Sequence, residues 1–185
     1  MQIKSTPYFH DYHGILEGKN VHYSKKTYKE IQTIYQKIDI NLPFDTIMYE
    51  VYTLQEEVSY KGSLCWGLSI LYPVLVCEEC NMTRGHFHSD LKCNEFYYGA
   101  GGEGLLLLMN EDGSCYAEKI QEGSLHLIKG NQAHRLVNTG ETPLKVICAW
   151  SSEAGHDYQR IEEHPFTERI FKRNGKIECE NQSKI

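Results

Sequence analysis

The 185-residue sequence predicts an all-β fold, either a β-sandwich or a β-barrel, built around one core. Short apolar or alternating segments follow one another from about residue 46 to residue 150, separated by clusters of glycine, proline or asparagine. A helical period is evident in one stretch, which precedes these segments. The length and the 41% of hydrophobic residues suit one soluble domain with a substantial core.

An N-terminal arm and a helix are predicted over residues 1–44. Residues 1–22 are polar and rich in aromatic side chains. Apolar residues then recur at helical spacing, at Tyr28, Ile31, Ile34, Tyr35 and Ile38. Thr27 and Glu30 have the spacing of a capping box, and Asn41-Leu42-Pro43 ends the predicted helix.

The barrel core is predicted to occupy residues 45–172. Strand segments are expected near 46–54, 63–72, 74–77, 82–88, 94–98, 104–109, 115–120, 124–128, 134–138 and 143–150. Residues 99–104 fit the spacing GxGxxG, but the apolar run that follows is typical of a strand, whereas a nucleotide-binding loop opens a helix. We therefore expect a glycine-rich hairpin there, and a C-terminal tail at 173–185 that frays at its end.

The charge and the cysteines limit the classes of partner. A formal net charge of −6 without a dense basic block argues against nucleic acid and against an anionic membrane surface, and an anionic substrate would need locally placed donors. The first residues lack the apolar stretch of a signal peptide, and no apolar run is long enough to cross a bilayer. Seven cysteines, an odd number, favour reduced thiols in the cytoplasm. Cys77 and Cys80 lack a second CxxC and are expected at a strand-to-turn junction.

Two histidines in Gly85-His86-Phe87-His88 carry the clearest chemical signal. Alternate residues of a strand face the same side, so both imidazoles would point into the barrel. Glu95 follows a turn-like stretch and is expected on an adjacent strand facing the same interior, and His134 begins another strand after a turn. Three imidazoles and one carboxylate suit one divalent ion of Mn, Fe, Co, Ni or Zn, and leave two positions of an octahedral ion open.

Two runs of the sequence resemble the two motifs of the cupins. The first run begins at Thr83, contains both histidines of the HFH segment, and continues through Glu95 and Tyr97 to a glycine-rich stretch. The second run extends from Gly123 to Asn138 and contains His134. The resemblance implies a cupin double-sheet β-barrel, similar to a jelly roll, as a single domain.

The sequence is more closely similar to the cupin-type glucose-6-phosphate isomerases of archaea and some bacteria. The similarity spans about residues 49–158 and is carried by Tyr49-Glu50-Val51-Tyr52, Leu71-Tyr72-Pro73, Thr83 with Gly85-His86-Phe87-His88, and Ala154-Gly155-His156-Asp157-Tyr158. It implies a metal-dependent interconversion of glucose 6-phosphate and fructose 6-phosphate. It also implies a sugar-phosphate substrate and a cytoplasmic homodimer.

The resemblance further implies roles for individual residues. Glu95 would be a metal ligand and a candidate base acting through an enediol, while a metal-supported hydride shift is the competing route. His156 would contact the sugar or assist ring opening, and Tyr97 would contact the sugar. Hydroxyls and backbone donors, rather than a basic cluster, would bind the phosphate, at Tyr49, Ser69, Thr83, Gly85 and Tyr158.

Three residues depart from the family pattern, and two other functions stay open. Lys129 stands where proline is usual and should affect only a turn, and Ser69 keeps the hydroxyl of the usual threonine. Trp150 replaces a common tyrosine near the substrate and so bears on the sugar contacts. The alternatives are a cupin Fe(II) dioxygenase and a non-catalytic sugar-binding cupin. Thr83 and the segment 155–158 favour the isomerase over the dioxygenase.

Overall fold

The computed structural model describes residues 2–4, 8–10, 16–55 and 60–182, and it consists mainly of β-strands. In chain order the strands are β1 (Tyr8–His10), β2 (Leu16–Gly18), β3 (Val21–Thr27), β4 (Ile47–Leu54), β5 (Leu64–Leu71), β6 (Leu75–Val76), β7 (Glu79–Cys80), β8 (Glu95–Gly101), β9 (Gly104–Met109), β10 (Cys115–Ile120), β11 (Leu125–Ile128), β12 (Ala133–Asn138), β13 (Leu144–Ser151), β14 (Glu168–Arg173) and β15 (Lys176–Asn181). The helices are α1 (Tyr28–Ile31) and α2 (Tyr158–Glu163). Neither of them, within the described ranges, has the length and apolar character needed to span a bilayer.

Two antiparallel sheets enclose the main core. The larger sheet has the strand order β11-β8-β13-β5-β4-β3, and the smaller has the order β10-β9-β12. Leu71 and Val146 of the larger sheet belong to one buried cluster with Leu106, Leu108 and Leu136 of the smaller sheet. The prediction of an all-β fold with a double-sheet barrel is confirmed, because the apolar faces of two sheets pack on one another.

Nine of the ten predicted segments contain a strand, and the exception is the segment 82–88. Its backbone makes only isolated bridges to β12, between Met82 and Val137 and between His86 and His134. Between these bridges Gly85 has a φ of 76°, which interrupts an extended chain. The prediction of a regular strand is therefore wrong here, although the segment still runs along β12.

The predicted N-terminal helix is wrong in its length. The capping box is present, since the Thr27 N–H donates to Glu30 at 2.8 Å, but α1 is one turn followed by a 3₁₀ turn at Gln32–Ile34. Beyond it, the N–H of Gln36 donates to the Glu79 carboxylate at 2.7 Å, and the N–H of Asp39 donates to the Tyr28 hydroxyl at 2.7 Å. These tertiary bonds replace the backbone bonds that a longer helix would need.

The glycine-rich segment 99–104 joins the two sheets rather than forming a hairpin. The predicted strand after it is present as β9, but β8 pairs with β11 and β13, whereas β9 pairs with β10 and β12. The chain therefore crosses from one sheet to the other at Gly102, which has a φ of 74°.

The C-terminal residues form a hairpin where a fraying tail was expected. Strands β14 and β15 pair around Asn174 and Gly175, both with positive φ, and join β7 and β6 in a four-stranded sheet. Cys77 and Glu78 form the turn between β6 and β7, as predicted for the CxxC segment. The last residues of the tail, 183–185, and the parts 1, 5–7 and 11–15 of the predicted arm lie outside the described residues.

Candidate metal centre and active site

His86, His88, Glu95 and His134 converge between the two sheets. One ligand atom from each lies within 4.8 Å of all the others. Both histidines of the HFH segment lie beside β12, which carries His134, whereas Glu95 begins β8 in the opposite sheet. The expectation that Glu95 lies on a strand adjacent to the HFH segment is wrong, because β8 pairs with β11 and β13. Because the two sheets face each other, the carboxylate of Glu95 lies close to the histidines.

The atoms of this group fit a divalent ion. Among the residues that the structure describes, His86 Nε2 and His134 Nε2 are buried without a hydrogen-bond partner, although His134 Nε2 lies 3.2 Å from Glu95 Oε2. Buried polar atoms nearly always have a partner. An ion about 2.1 Å from each ligand holds ligand atoms up to about 4 Å apart, close to the observed spacing. His88 is oriented by a contact of 2.7 Å between its Nδ1 and the Cys93 carbonyl oxygen. In histidines that bind a metal, the ring nitrogen that does not face the ion usually makes such a contact.

Burial and close contacts set the charges of these groups. Burial lowers the pKa of His86 well below its usual value, and the neighbouring His134 and His156 lower it further. Burial raises the pKa of Glu95, but its close contacts with His134 and His88 outweigh this effect and lower it. Burial lowers the pKa of His88, but the contact with Glu95 outweighs that effect and raises it. A neutral His86 and an ionised Glu95 are the forms that bind metal.

A cavity of about 460 Å³ opens beside the group. Its walls contain every residue that the resemblance assigned to substrate or catalysis, namely Tyr49, Ser69, Thr83, Gly85, Glu95, Tyr97, His156 and Tyr158. His86 and His134 also line it, whereas His88 lies behind the wall and is 2% exposed. The group thus has one open side, which faces the candidate substrate residues.

The segment 83–85 forms one wall and is held by hydrogen bonds and close packing. The Thr83 hydroxyl accepts a hydrogen bond from the Leu136 N–H at 3.0 Å, so its own O–H is left as a donor. A Cβ on Gly85 would lie 2.8 Å from the Phe166 ring and 3.0 Å from the His134 carbonyl oxygen, so no other residue fits without movement. The buried Arg135 guanidinium donates to the Arg84 carbonyl at 2.6 Å.

The segment before α2 forms a second wall. The Asp157 N–H donates to the Phe87 carbonyl at 2.8 Å, and the Phe87 N–H donates back to the Asp157 carbonyl at 3.4 Å. This exchange brings the rings of His156 and Tyr158 within 4.4 Å and 5.6 Å of the His86 ring, measured between centroids. Burial lowers the pKa of His156, which favours a neutral imidazole.

The larger sheet forms the third wall. Burial raises the pKa of Tyr97 well above its usual value, and the ring packs edge-on against His134 with centroids 5.8 Å apart. Burial also raises the pKa of Tyr49, to about 12, although the nearby backbone N–H of Arg84 lowers it in part. Trp150 lies 6.5 Å from the His156 ring, between centroids, and covers the backbone of Gly67.

The departure at Lys129 concerns a turn, as expected. The Lys129 N–H donates to the Gln132 side chain at 3.3 Å, and the Gln132 N–H donates to the Lys129 carbonyl at 2.9 Å. A proline could not make the first of these bonds. Lys129 is absent from the described residues that line the cavity.

Sequence reasoning missed two cationic residues of the cavity wall, Lys26 and Arg84. Arg84 lies between Thr83 and Gly85 in the first motif, so its position could have indicated that it lines the site. Lys26 lies on β3, just before the predicted helix, in a stretch without strand alternation strong enough to identify it.

A double-sheet antiparallel barrel that encloses three imidazoles and one carboxylate defines the class that the two motifs predicted, the cupins. Residues 20–184 match the family model of glucose-6-phosphate isomerase. The chain belongs to the glucose-6-phosphate isomerase family.

Curated relatives agree with this membership. The chain is 33% identical over 140 residues to a glucose-6-phosphate isomerase of Thermococcus litoralis, covering 76% of this chain and 73% of the relative. It is 35% identical over 133 residues to that of Pyrococcus abyssi, covering 72% and 70%. A putative glucose-6-phosphate isomerase of Rhizobium meliloti is 32% identical over 117 residues, covering 63% of this chain and 54% of the relative.

Solved structures resemble the chain more distantly. An oxalate oxidase in complex with the substrate analogue glycolate has a TM-score of 0.46 and 12% identity, over 77% of this chain and 56% of that one. An oxalate decarboxylase from Bacillus subtilis has a TM-score of 0.44 and 18% identity, over 58% of this chain and 26% of that one. These values are too low to bear on the chemistry of this chain.

Proposed function

We propose that this chain is a metal-dependent isomerase that interconverts glucose 6-phosphate and fructose 6-phosphate. The observation that carries the proposal is a group of four ligand residues, two of them with unpartnered ring nitrogens, open on one side to a cavity lined by hydroxyl groups. Family membership and the names of the relatives support the same reaction.

We assign the metal to His86, His88, Glu95 and His134. A divalent ion of Fe, Mn, Ni, Co or Zn held there would polarise the sugar carbonyl. The ionised Glu95 carboxylate faces the cavity, where it can move a proton between C1 and C2 through an enediol. The neutral imidazole of His156, also in the wall, suits proton transfer during opening of the sugar ring.

Hydroxyl groups and a backbone amide are assigned to the rest of the substrate. The O–H of Thr83 is left as a donor by the bond that its oxygen accepts, and Tyr49, Ser69 and Tyr158 line the same cavity. The backbone of Gly85 lies between Thr83 and the metal ligands. Tyr97, packed against His134, is assigned to the sugar.

A homodimer is part of the proposal and is supported by an exposed apolar surface. On the outer side of the larger sheet, Leu127, Phe96, Ala149 and Trp66 lie side by side across four strands. Leu127 and Phe96 are each 49% exposed. Contiguous exposed apolar side chains of this kind are typical of protein–protein contact surfaces. The cytoplasmic location and the single-domain organisation stay predictions.

The proposal is tested with the metal-loaded full chain in a coupled assay for fructose 6-phosphate turnover. Isomerisation should be lost on chelation and restored by one of the five metals. His88→Ala should lose bound metal and at least about 100-fold of the activity, since ligand loss removes the ion, while the far-UV circular dichroism keeps its strand signal. His164→Ala, an exposed histidine at the end of α2, is the matched control and should stay active.

Other outcomes separate the alternatives. Oxygen uptake without turnover of fructose 6-phosphate would indicate the dioxygenase. Sugar-phosphate binding without either reaction would indicate a non-catalytic cupin. Isomerase activity that survives complete metal removal would contradict the metal-centred mechanism.

A further inference from the structure

The cavity contains two cationic side chains that the predicted phosphate site did not include. Of the described residues that line it, Lys26, Arg84 and Glu95 carry formally charged side chains apart from the histidines. Glu95 belongs to the metal group. The two cations therefore dominate the charge of the remaining wall.

Lys26 and Arg84 are both linked to Tyr49. Lys26 is the cross-strand neighbour of Tyr49 in the pairing of β3 with β4. The backbone N–H of Arg84 lies close enough to the Tyr49 hydroxyl to lower its pKa, and the Arg84 guanidinium carbon lies 4.9 Å from the centroid of the Tyr158 ring. The cations thus lie among the hydroxyls assigned to phosphate, with Tyr158 between Arg84 and the His86 ring.

Each cation is held by a glutamate that can release it at little cost. Lys26 Nζ lies 3.3 Å from Glu30 Oε1, while the other oxygen of Glu30 is independently bound by the Thr27 N–H and hydroxyl. Arg84 pairs with Glu162 of α2, whose side chain is 63% exposed, so water can solvate that carboxylate. Exposed ion pairs of this type contribute little to stability.

We propose that Lys26 and Arg84 form a cation pair that recognises the phosphate dianion of the substrate, exchanging Glu30 and Glu162 for the phosphate oxygens. This inference rests on the proposed function. A phosphate monoester carries a charge of about −1.5 to −2 near pH 7, and the chain carries a net charge of −6. Local cations therefore offset the repulsion that a dianion meets on approach.

The pair is tested by Lys26→Met and Arg84→Met in the metal-loaded full chain. Each change should raise KM for fructose 6-phosphate about tenfold with kcat within about twofold, because ground-state and transition-state binding are lost equally. The dependence of KM on ionic strength should also weaken in both variants. Lys25→Met is the matched control, since Lys25 is the neighbouring exposed lysine of β3 on the opposite face, and its KM should equal that of the parent.

A second variant separates recognition from structural support. Glu162→Gln removes the ion pair but leaves Arg84 free, so KM should stay unchanged or fall. If Glu162→Gln raises KM as much as Arg84→Met does, Arg84 acts only by tethering α2, and the inference is overturned. Unchanged KM in both cation variants overturns it as well.

Binding of inorganic phosphate, followed by titration calorimetry, tests the inference without turnover. Weaker binding in Lys26→Met and Arg84→Met, but not in Lys25→Met, supports the cation pair even if the parent lacks isomerase activity. An active parent whose phosphate binding is unaffected by both changes retains the proposed function and loses this inference.

Discussion

Gly67 lacks a side chain where the indole of Trp150 crosses β5. A Cβ at this position would lie 2.9 Å from Trp150 Cζ3 and 3.0 Å from Cys148 Sγ. Trp150 and Cys148 both line the cavity. The bulk of the tryptophan is therefore accommodated by a glycine on the neighbouring strand, and the two residues together shape this wall.

Gly67→Ala should displace the indole into the cavity. We expect a loss of about 1–3 kcal/mol in the free energy of unfolding, as for an overpacked core, and a raised KM for fructose 6-phosphate. Urea denaturation and steady-state kinetics measure the two effects. Gly101→Ala is the control, because its Cβ would meet Lys145 Cδ at an ordinary 3.8 Å. Equal kinetics in both variants would show that Trp150 does not shape the substrate space.

At the scale of elements, α2 depends on its neighbours for its position. A helix of six residues is not stable alone. Its N-cap, Asp157, accepts a hydrogen bond from the Arg160 N–H at 3.0 Å, and the Arg160 guanidinium carbon lies 4.1 Å from the centroid of the Phe87 ring. Helix α2, which begins at Tyr158, and the His156 segment before it are thus docked on Phe87, the residue between the candidate ligands His86 and His88.

Asp157→Ala should remove the cap and loosen this docking. The expected result is a loss of about 1 kcal/mol in stability and a severalfold drop in kcat/KM, with metal content unchanged because the four proposed ligands lie elsewhere. Thermal denaturation, kinetics and metal analysis measure these quantities. Asp157→Asn keeps a capping oxygen and should restore most of both losses. Wild-type kcat/KM in Asp157→Ala would mean that the cap does not position α2.

At the scale of the whole molecule, the outer face of the larger sheet is only partly covered. Leu68 and Ile70 are buried beneath Leu16 of β2, in a second, smaller cluster. Towards β11 the apolar side chains are open, with Leu125 67% exposed and Tyr98 43% exposed. This uncovered half is the surface that we assign to the dimer.

Leu127→Glu should dissociate the dimer, because it places a charge among the apolar side chains of Phe96, Ala149 and Trp66. Sedimentation velocity should give a dimer for the parent and a monomer for the variant at the same concentration, with equal far-UV circular dichroism. Leu75→Glu is the control, because Leu75 is 41% exposed but lies on a different sheet. This variant should remain dimeric. A monomeric parent, or an unaffected variant, would remove the support for this interface.

Most strands of the barrel and the shared direction of His86 and His88 were predictable because both are encoded locally. Apolar runs bounded by turn residues predicted ten strand segments, and nine of them contain a strand. The spacing of His86 and His88 placed both imidazoles on one side. The hairpin β14–β15 and helix α2 were missed, because short elements of mixed polarity carry weak periodicity. The long helix was wrong because its amides bind Glu79 and Tyr28, far from it in the sequence.

By itself the sequence predicted that His86, His88, Glu95 and Tyr97 face the barrel interior, and it gave the identity of the candidate ligands and the resemblance to a family. Phe87, which the alternation of a strand would place outward, is instead buried in the core. Only the tertiary structure decided that Glu95 reaches the histidines from the opposite sheet, and that Lys26 and Arg84 share one cavity with them. The physical reason is that periodicity along a chain specifies the direction of a side chain. Its neighbours across a barrel depend on strand pairing between segments distant in the sequence, which no local pattern records.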